Sequence, residues 1–479
     1  MRKLIPLATV FVCAQAFGQE QFGLLNSNYA GTDAVVLNPA RMATQWPWLD
    51  VNLVGANLHA RNNYVFLGRQ YSLIGEIRGG IAGTNGDLVI GNELSMRDKK
   101  AYVSVEFKGP AIAWSLGRTA IGLGMRSRAA VSAVGVPVSL ATFATETFSY
   151  EPQHGTRYNE DNFRLAAGAW TEFGLSLARI ISRSNSTLIS AGATGKYLLG
   201  HAGGALTVDQ LDYMVVDTAR IEVYGAQAEY GFVMPSTNAG RGFGADVGFE
   251  VQRTESAVDN YVPHSAGAGC TPAPYIWRFG ISVVDIGGIN YKNAMGGTLN
   301  NATASIPDYD ELTVDGAEGL DSLFSVDFTG WSGDAMMKIG LPTAIALQYD
   351  RRVANNVFVA ADLVHPLTGT SNMRIRRGAT VALVPRYELK RFEAALPIVL
   401  QEYRRPTVGL MLRLNSLIIG TDNLLPFVMR TNVYTVDVYA RLKITLFRSP
   451  HCRGKGRRTS EASAKPGATS VPCTIPSDR

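Results

Sequence analysis

The chain has 479 residues, 45 Lys and Arg against 40 Asp and Glu, a formal net charge of +5 and a mean hydropathy of +0.03. That hydropathy is too low for a bundle of membrane helices. Beyond the extreme N-terminus no apolar run reaches the roughly 18 residues of a spanning helix, so any crossing of a bilayer must be made by strands.

The first element is a secretory signal over residues 1–18: basic Arg2 and Lys3, an apolar run over 4–14, and small residues at Ala16 and Gly18, so that the mature chain begins near Gln19. An apolar run of about eleven residues is too short for a membrane anchor. Thr9-Val10-Phe11-Val12 lacks the small residues a lipoprotein cleavage site requires, which sets Cys13 aside as a lipid attachment point. Residues 19–45 form a short N-terminal segment that contains Asn38-Pro39-Ala40 and a helix around 33–43.

Strands follow from Trp48. Fourteen centre on 51–59, 64–77, 102–117, 120–134, 165–181, 187–199, 221–233, 243–252, 275–286, 343–352, 357–364, 379–387, 408–417 and 435–446, with further candidates at 88–94 and 392–400. Their alternation is clean. Phe243, Ala245, Val247 and Phe249 oppose Asp246 and Glu250; Phe173 and Leu175 oppose Glu172; Leu410 and Leu412 oppose Arg413; Val438, Leu442 and Ile444 oppose Arg441 and Lys443. A soluble sandwich also alternates, but its dry core would bury these charges at high cost. A wet lumen removes the cost, so the pattern predicts an all-β transmembrane antiparallel barrel of about 14 strands (12–16) over 46–447, with Glu172, Asp246, Glu250, Arg413 and Arg441 facing the lumen. Trp46, Trp48, Trp170 and Trp277 fall near strand starts, where an interfacial aromatic girdle belongs.

Tight turns are expected at Arg118-Thr119, Ser184-Asn185-Ser186 and Ala354-Asn355-Asn356, and longer loops over 136–161, 200–218, 254–273 and 287–337. Counted from a periplasmic N-terminus, the tight turns land outside, against the habit of such barrels. One missed strand, such as 88–94, would reverse the early ones, so the orientation stays open. Residues 293–337 hold eight acidic residues and no Lys or Arg. Calcium binding is conceivable there, yet the spacing matches no EF-hand and a solvated acidic loop is the simpler reading. Residues 448–479 read as a basic disordered tail.

No catalytic, cofactor or metal site emerges. Cys270, Cys452 and Cys473 are too far apart for a metal knuckle; Cys452 and Cys473 either pair in an oxidising compartment or remain two unconstrained thiols. The six histidines show no ligand spacing, and no Gly-x-Ser-x-Gly elbow occurs. Gly240-Arg241-Gly242-Phe243-Gly244 imitates a phosphate loop, but no helix follows it, and its glycines are expected to thin a strand face for close packing. The positive surplus sits in the tail and signal rather than on a folded face, so no nucleic-acid partner is expected.

Asn28-Tyr29-Ala30-Gly31, Leu37-Asn38-Pro39-Ala40, Gly195-Lys196-Tyr197-Leu198, the run from Gly242 to Phe249, the run from Gly280 to Gly287, Leu341-Pro342-Thr343 and Gly420-Thr421-Asp422-Asn423-Leu424, taken in order, resemble an uncharacterised family of Bacteroidota outer-membrane barrels. The Asn-Pro-Ala element is similar to that of long-chain fatty-acid transporters and of a barrel subunit of the type IX secretion system. The resemblance implies that residues 19–45, with Asn38, Pro39 and Ala40, plug the barrel and that a hydrophobic substrate leaves through its wall; a cap that merely ends a short helix is the plainer role for Pro39. Phe447 departs from the transporters' pattern, being out of register with Leu442, Ile444 and Leu446 and followed by a tail. Two functions are therefore expected: a plugged outer-membrane transporter for a hydrophobic or small solute, or a structural or secretion-accessory barrel whose partner is an envelope protein. In either case outer-membrane lipid surrounds it. An apolar pocket beside 38–42 would favour the first, and a polar, filled interior the second.

Overall fold

Strands with two unlike faces bury one of them only by closing on themselves or on a second layer, and here the sheet closes on itself. The computed structural model describes residues 21–67, 90–93, 95, 97–146, 150–265, 267–307, 316–333, 337–367, 373–429 and 431–452. It is an all-β, closed, fourteen-strand antiparallel barrel.

The strands are β1 (Leu49–Asn62), β2 (Lys99–Leu116), β3 (Thr119–Val136), β4 (Arg157–Ser184), β5 (Thr187–Val215), β6 in two parts (Ile221–Val233, Gly240–Thr254), β7 in two parts (Tyr275–Tyr291, Met295–Ile306), β8 in three (Trp331–Gly333, Met337–Gly340, Ala344–Ala354), β9 (Val357–Pro366), β10 (Thr380–Glu388), β11 in two parts (Phe392–Ala395, Ile398–Gln401), β12 in two parts (Arg404–Val408, Leu410–Leu414), β13 (Leu417–Thr421) and β14 (Thr435–Leu446). β14 pairs with β1 from Leu49↔Leu446 to Arg61↔Thr435, which closes the barrel and leaves no free edge among these strands.

Tight turns at 117–118, 185–186, 355–356 and 415–416 all lie at the end where the N-terminal segment enters β1 and β14 finishes. Gly117, Asn185, Asn356 and Asn415 supply the positive φ these reversals need. This end is called the turn end and the opposite one the loop end. The expected strand at 64–77 accounts for the misplaced turns: Val65–Leu67 pairs with Ile90–Asn92 in a small hairpin outside the barrel, and 68–89 lie outside the described residues. Without it, the count reverses for the first two of these turns, and the union of 221–233 and 240–254 in one strand, β6, keeps 355–356 at the same end.

Two expected loops are strand. β5 continues to Val215 and, with the 28-residue β4, forms a hairpin far longer than the roughly 10 residues needed to cross a bilayer. β7 likewise resumes at Met295. These strands rise beyond the loop end as a half-shell, and Phe143 of helix α1 (Val138–Glu146) and Leu323 and Phe324 of helix α2 (Gly316–Asp327) pack against it with Val208, Tyr213 and Leu299. The opposite wall is low: β13 has five residues.

Leu123, Leu175, Leu177, Val247, Phe249, Leu442 and Ile444 form an exposed apolar outer band. No helix among the described residues is long and apolar enough to cross a membrane, which has no bearing on strands.

The girdle expectation divides. Trp48 lies edge-to-face with the exposed Trp114. Trp170, however, is buried, its indole donating to Glu172 beneath the Arg128 guanidinium, and Trp46 packs inward on Tyr29 and Phe358. The cysteine pairing is also corrected. Cys452 is bonded to Cys270, which ties the 255–274 loop to the chain after β14, and Cys473 lies outside the described residues. Sequence proximity was a poor guide because the long loop between β6 and β7 reaches the segment after β14; Ser449 Oγ donates to the His264 carbonyl at 2.6 Å in the same place.

Candidate functional site: the filled lumen

Residues 21–45 run inside the barrel. The helix expected around 33–43 is instead two 3-10 segments (Gly31–Val36, Pro39–Thr44), preceded by a turn of α-helix (Phe22–Leu25). Asn38 interrupts them with extended backbone, the conformation favoured before proline, and its Oδ1 accepts from Ala40 N at 3.0 Å as a helix cap.

Asn38, Pro39 and Ala40 rest on a cradle of glycines from three neighbouring strands. A Cβ on Gly248 would lie 2.1 Å from Asn38 Oδ1, one on Gly280 2.7 Å from Asn38 Nδ2, and one on Gly192 2.6 Å from the Pro39 carbonyl carbon. Only glycine lets the segment approach this closely. Asn38 Nδ2 then donates to Phe249 O, Ser190 Oγ to Ala40 O, and Ser282 Oγ to Leu37 O. The glycines of the false phosphate loop act similarly within the wall, Gly242 standing tight against the Gly288 backbone.

On the β14–β7 side the lumen is ionic. Asp50 and Asp33 flank Lys443 at 2.9 and 3.1 Å; Asp33 also binds Lys108 at 2.6 Å and faces Arg441. Arg441 pairs with Glu106, Glu106 with Arg126, Arg126 and Arg128 with Glu172, Arg128 with Asp285, and Lys196 with both Asp285 and Asp246 at 2.7 Å. Asp285 sits at a bulge in β7 with φ of 55°, and its amide donates to Asp246. One chain of charges thus crosses strands β14, β1 to β7 and the N-terminal segment. A second set lies around Arg386, with Asp350, Glu388 and Arg278.

The five charged residues singled out above all point inward. Glu172, Asp246 and Arg441 belong to the first chain; Glu250 accepts from Thr44 Oγ1 at 2.6 Å and faces Arg41; Arg413 pairs with Glu393. All are at most 3 % exposed. The wet lumen invoked to tolerate them is replaced by a packed one in which opposite charges and backbone carbonyls satisfy each group. Arg41 binds the carbonyls of Leu25, Asn26 and Ser27, folding the segment on itself. Asn26, Ser27 and Asn28 reach Asp362, Glu393 and Glu388.

On the β8–β13 side an apolar patch shares the inner face with the charges of Asp350, Asp362, Arg386, Glu388, Glu393 and Arg413. Phe22, Leu24, Leu25 and Leu37 are buried against Ala344, Ala360, Val384, Val399, Met411 and Ile418. At the turn end, Val258 and Tyr261 of the disulfide-tied loop pack under Met42 and Ala43. Phe447 lies edge-on to Tyr29 at 5.6 Å, which explains its register: it turns toward the N-terminal segment, not toward lipid.

Asp33, Lys108, Arg126, Arg128, Lys196 and Asp285 were not singled out from the sequence, although Glu106/Lys108 and Arg126/Arg128 carry the signal, charges two residues apart within otherwise apolar strands. Phe22, Leu24 and Leu25 occupy a stretch too short for periodicity. Among the described residues no group of three His, Cys, Asp or Glu could hold a metal ion; Asp308, Asp310, Glu311, Asp315 and Asp334 of the acidic stretch lie outside them.

The fold is similar to solved barrels: the toluene transporter TbuX of Ralstonia pickettii (9 % identity, 87 % of this chain and 94 % of that one, TM-score 0.38), a Pseudomonas aeruginosa FadL homologue (10 %, 90 % and 98 %, 0.35) and the Pseudomonas putida toluene transporter TodX (9 %, 90 % and 98 %, 0.33). No curated protein matches the chain by sequence. The profile of the family of unknown function DUF5723 matches residues 39–422, and the chain belongs to that family.

Proposed function

We propose that this is an integral outer-membrane barrel, exported by its signal peptide, that passes a hydrophobic small solute through a lumen plugged by the segment before Gln45. The observation that carries this reading is the apolar patch of the lumen. Phe22, Leu24 and Leu25 cover a wall of Ala, Val, Met and Ile side chains on β8–β13, and an apolar solute has affinity for the surface they cover. Asn38, Pro39 and Ala40 are the latch of the plug. The turn end faces the periplasm and the half-shell faces outward, in keeping with short periplasmic turns.

A second reading, a non-transporting structural or secretion-accessory barrel holding an envelope protein, draws on the surroundings of Asn38 to Arg41. These are the glycine cradle, Ser190, Ser282 and Glu250, which pack on or bond to the latch.

The test is uptake of a small aromatic hydrocarbon by intact cells stripped of other apolar-solute channels. The wild-type barrel should admit it above background, and Phe22→Ala/Leu24→Ala/Leu25→Ala should admit it faster. Background uptake with both, from barrels that migrate as folded, would replace this reading with the accessory one.

A further inference from the structure

The outer wall carries a groove of about 780 Å³ across β2–β6, lined chiefly by Ile112, Leu123, Phe173, Leu175, Tyr197 and Phe243. Its shape follows from the strand register. One outward-facing row runs Val51, Ile112, Leu123, Leu175, Gly195, Ala245 over six adjacent strands, so that it passes from branched side chains to no side chain and then a methyl group. The row on its loop-end side runs Met125, Phe173, Tyr197, Phe243, long or aromatic throughout, with Tyr197 and Phe243 edge-on at 5.7 Å. The hollow centres on Gly195, where a Cβ would meet no atom within 4 Å. In β2 the bulge at Gly109-Pro110, which shifts the β2–β3 register, lengthens it.

The groove opens onto the apolar band, among Leu177, Val247 and Phe249, and not onto the lumen. The one charged residue at its floor, Lys196, turns its ammonium inward to Asp246 and Asp285. Its surroundings therefore offer an occupant dispersion and desolvation but no charge. Strands spaced about 4.8 Å apart make the span from β2 to β6 about 19 Å. With strands tilted ~45°, that row covers about 14 Å along the membrane normal, close to half of a ~30 Å hydrocarbon core. The groove is as deep as one leaflet.

We infer that this groove seats one acyl chain of a membrane lipid, laid across the strands between the aromatic row and the hollow at Gly195. The inference rests on the barrel spanning a membrane and is independent of solute passage through the lumen.

The full-length barrel in nanodiscs, doped either with a phospholipid bearing a diazirine on its acyl chain or with a diazirine fatty acid, is irradiated and the adducts are mapped by mass spectrometry. With the phospholipid, adducts should concentrate on 110–125, 173–175, 195–197 and 243. Gly195→Trp, which fills the hollow, should cut them by about tenfold, while Leu177→Trp, outside it, should leave them unchanged. Should Gly195→Trp fail to fold, Phe243→Ala, at a position 75 % exposed, removes one wall and should give the same loss. Labelling spread evenly around the barrel, or unmoved by these variants, overturns the seat. Labelling here by the fatty acid and not by the phospholipid overturns the assignment to membrane lipid.

Discussion

Asp33 is the point at which the N-terminal segment is most heavily charged against the wall, and Asp33→Asn is the substitution that tests whether this ionic contact fastens it. The carboxylate faces three cations. Two keep a partner without it, Lys443 with Asp50 at 2.9 Å and Arg441 with Glu106 at 2.8 Å. Lys108 does not: its remaining contacts are the Thr32 carbonyl at 2.8 Å and hydroxyl at 3.3 Å. A buried ammonium stripped of its counter-charge costs about 3–5 kcal/mol. If that cost falls on the seated state of the segment, the opening equilibrium rises by roughly 10²–10⁴-fold, at 1.4 kcal/mol per factor of ten. Hydrogen exchange at the amides of 26–43 reads it directly. Adding Lys108→Met should restore most of the protection, because removal of both charges leaves no uncompensated ion. Unchanged exchange in Asp33→Asn, or a double variant no better protected than the single, would refute the reasoning.

The glycine cradle gives a second outcome. Gly248→Val drives a side chain into Asn38 and should lower the thermal midpoint of the folded gel band by the equivalent of about 1–5 kcal/mol, the sum of a lost cap and an overpacked wall; Gly225→Ala, where a Cβ meets nothing within 4 Å, should leave it unmoved. The third concerns pH. Burial holds His264 below its ordinary value of about 6.5, against the opposing hydrogen bonds to the Gln45 and Pro47 backbone. The unfolded loop therefore takes up the proton first, so the stability of the 255–274 cover is full above pH 6.5 and falls as pH drops below it. Proteolysis within that loop should be faster at pH 5.5 than at 7.5, and His264→Gln should flatten the difference.

Where the alternation is unbroken, as over 243–252 and 436–446, the strand is legible from the residues alone. It failed in three physical situations. Ala202-Gly203-Gly204-Ala205 reads as loop because small residues carry no contrast between faces, yet they stay in the β4–β5 ladder and let Tyr291 and Ile339 pack close. The run over 408–417 reads as one strand because β12 and β13 are each too short to show their own ends; the reversal is made by Asn415 at φ 55°. The run 64–77 alternates in sequence, but its described part, 64–67, has no barrel neighbour left to pair with, since β1 is already flanked by β14 and β2.

The site was legible one residue at a time and not as a set of partners. That a charge two residues from another charge must point inward follows from the pleat; that Asp285 meets Arg128, 157 positions away, follows only from closure of the sheet. The disulfide has the same character. What closure adds is a division within the segment that no linear reading contains: Asp33 is fastened by ion pairs to β14 and β2, and Asn26, Ser27 and Asn28 by hydrogen bonds to carboxylates of β9 to β11, while Phe22, Leu24 and Leu25 cover an apolar patch of β8 to β13. Under the transport reading, this division lets an apolar solute compete for the wall without breaking an ion pair. Displacing three apolar side chains from a surface that the solute then covers exchanges one burial for another, whereas withdrawing Asp33 leaves Lys108 without a counter-charge. Release should accordingly begin at Phe22 and stop at the ionic anchor, with Asn38 still in its cradle.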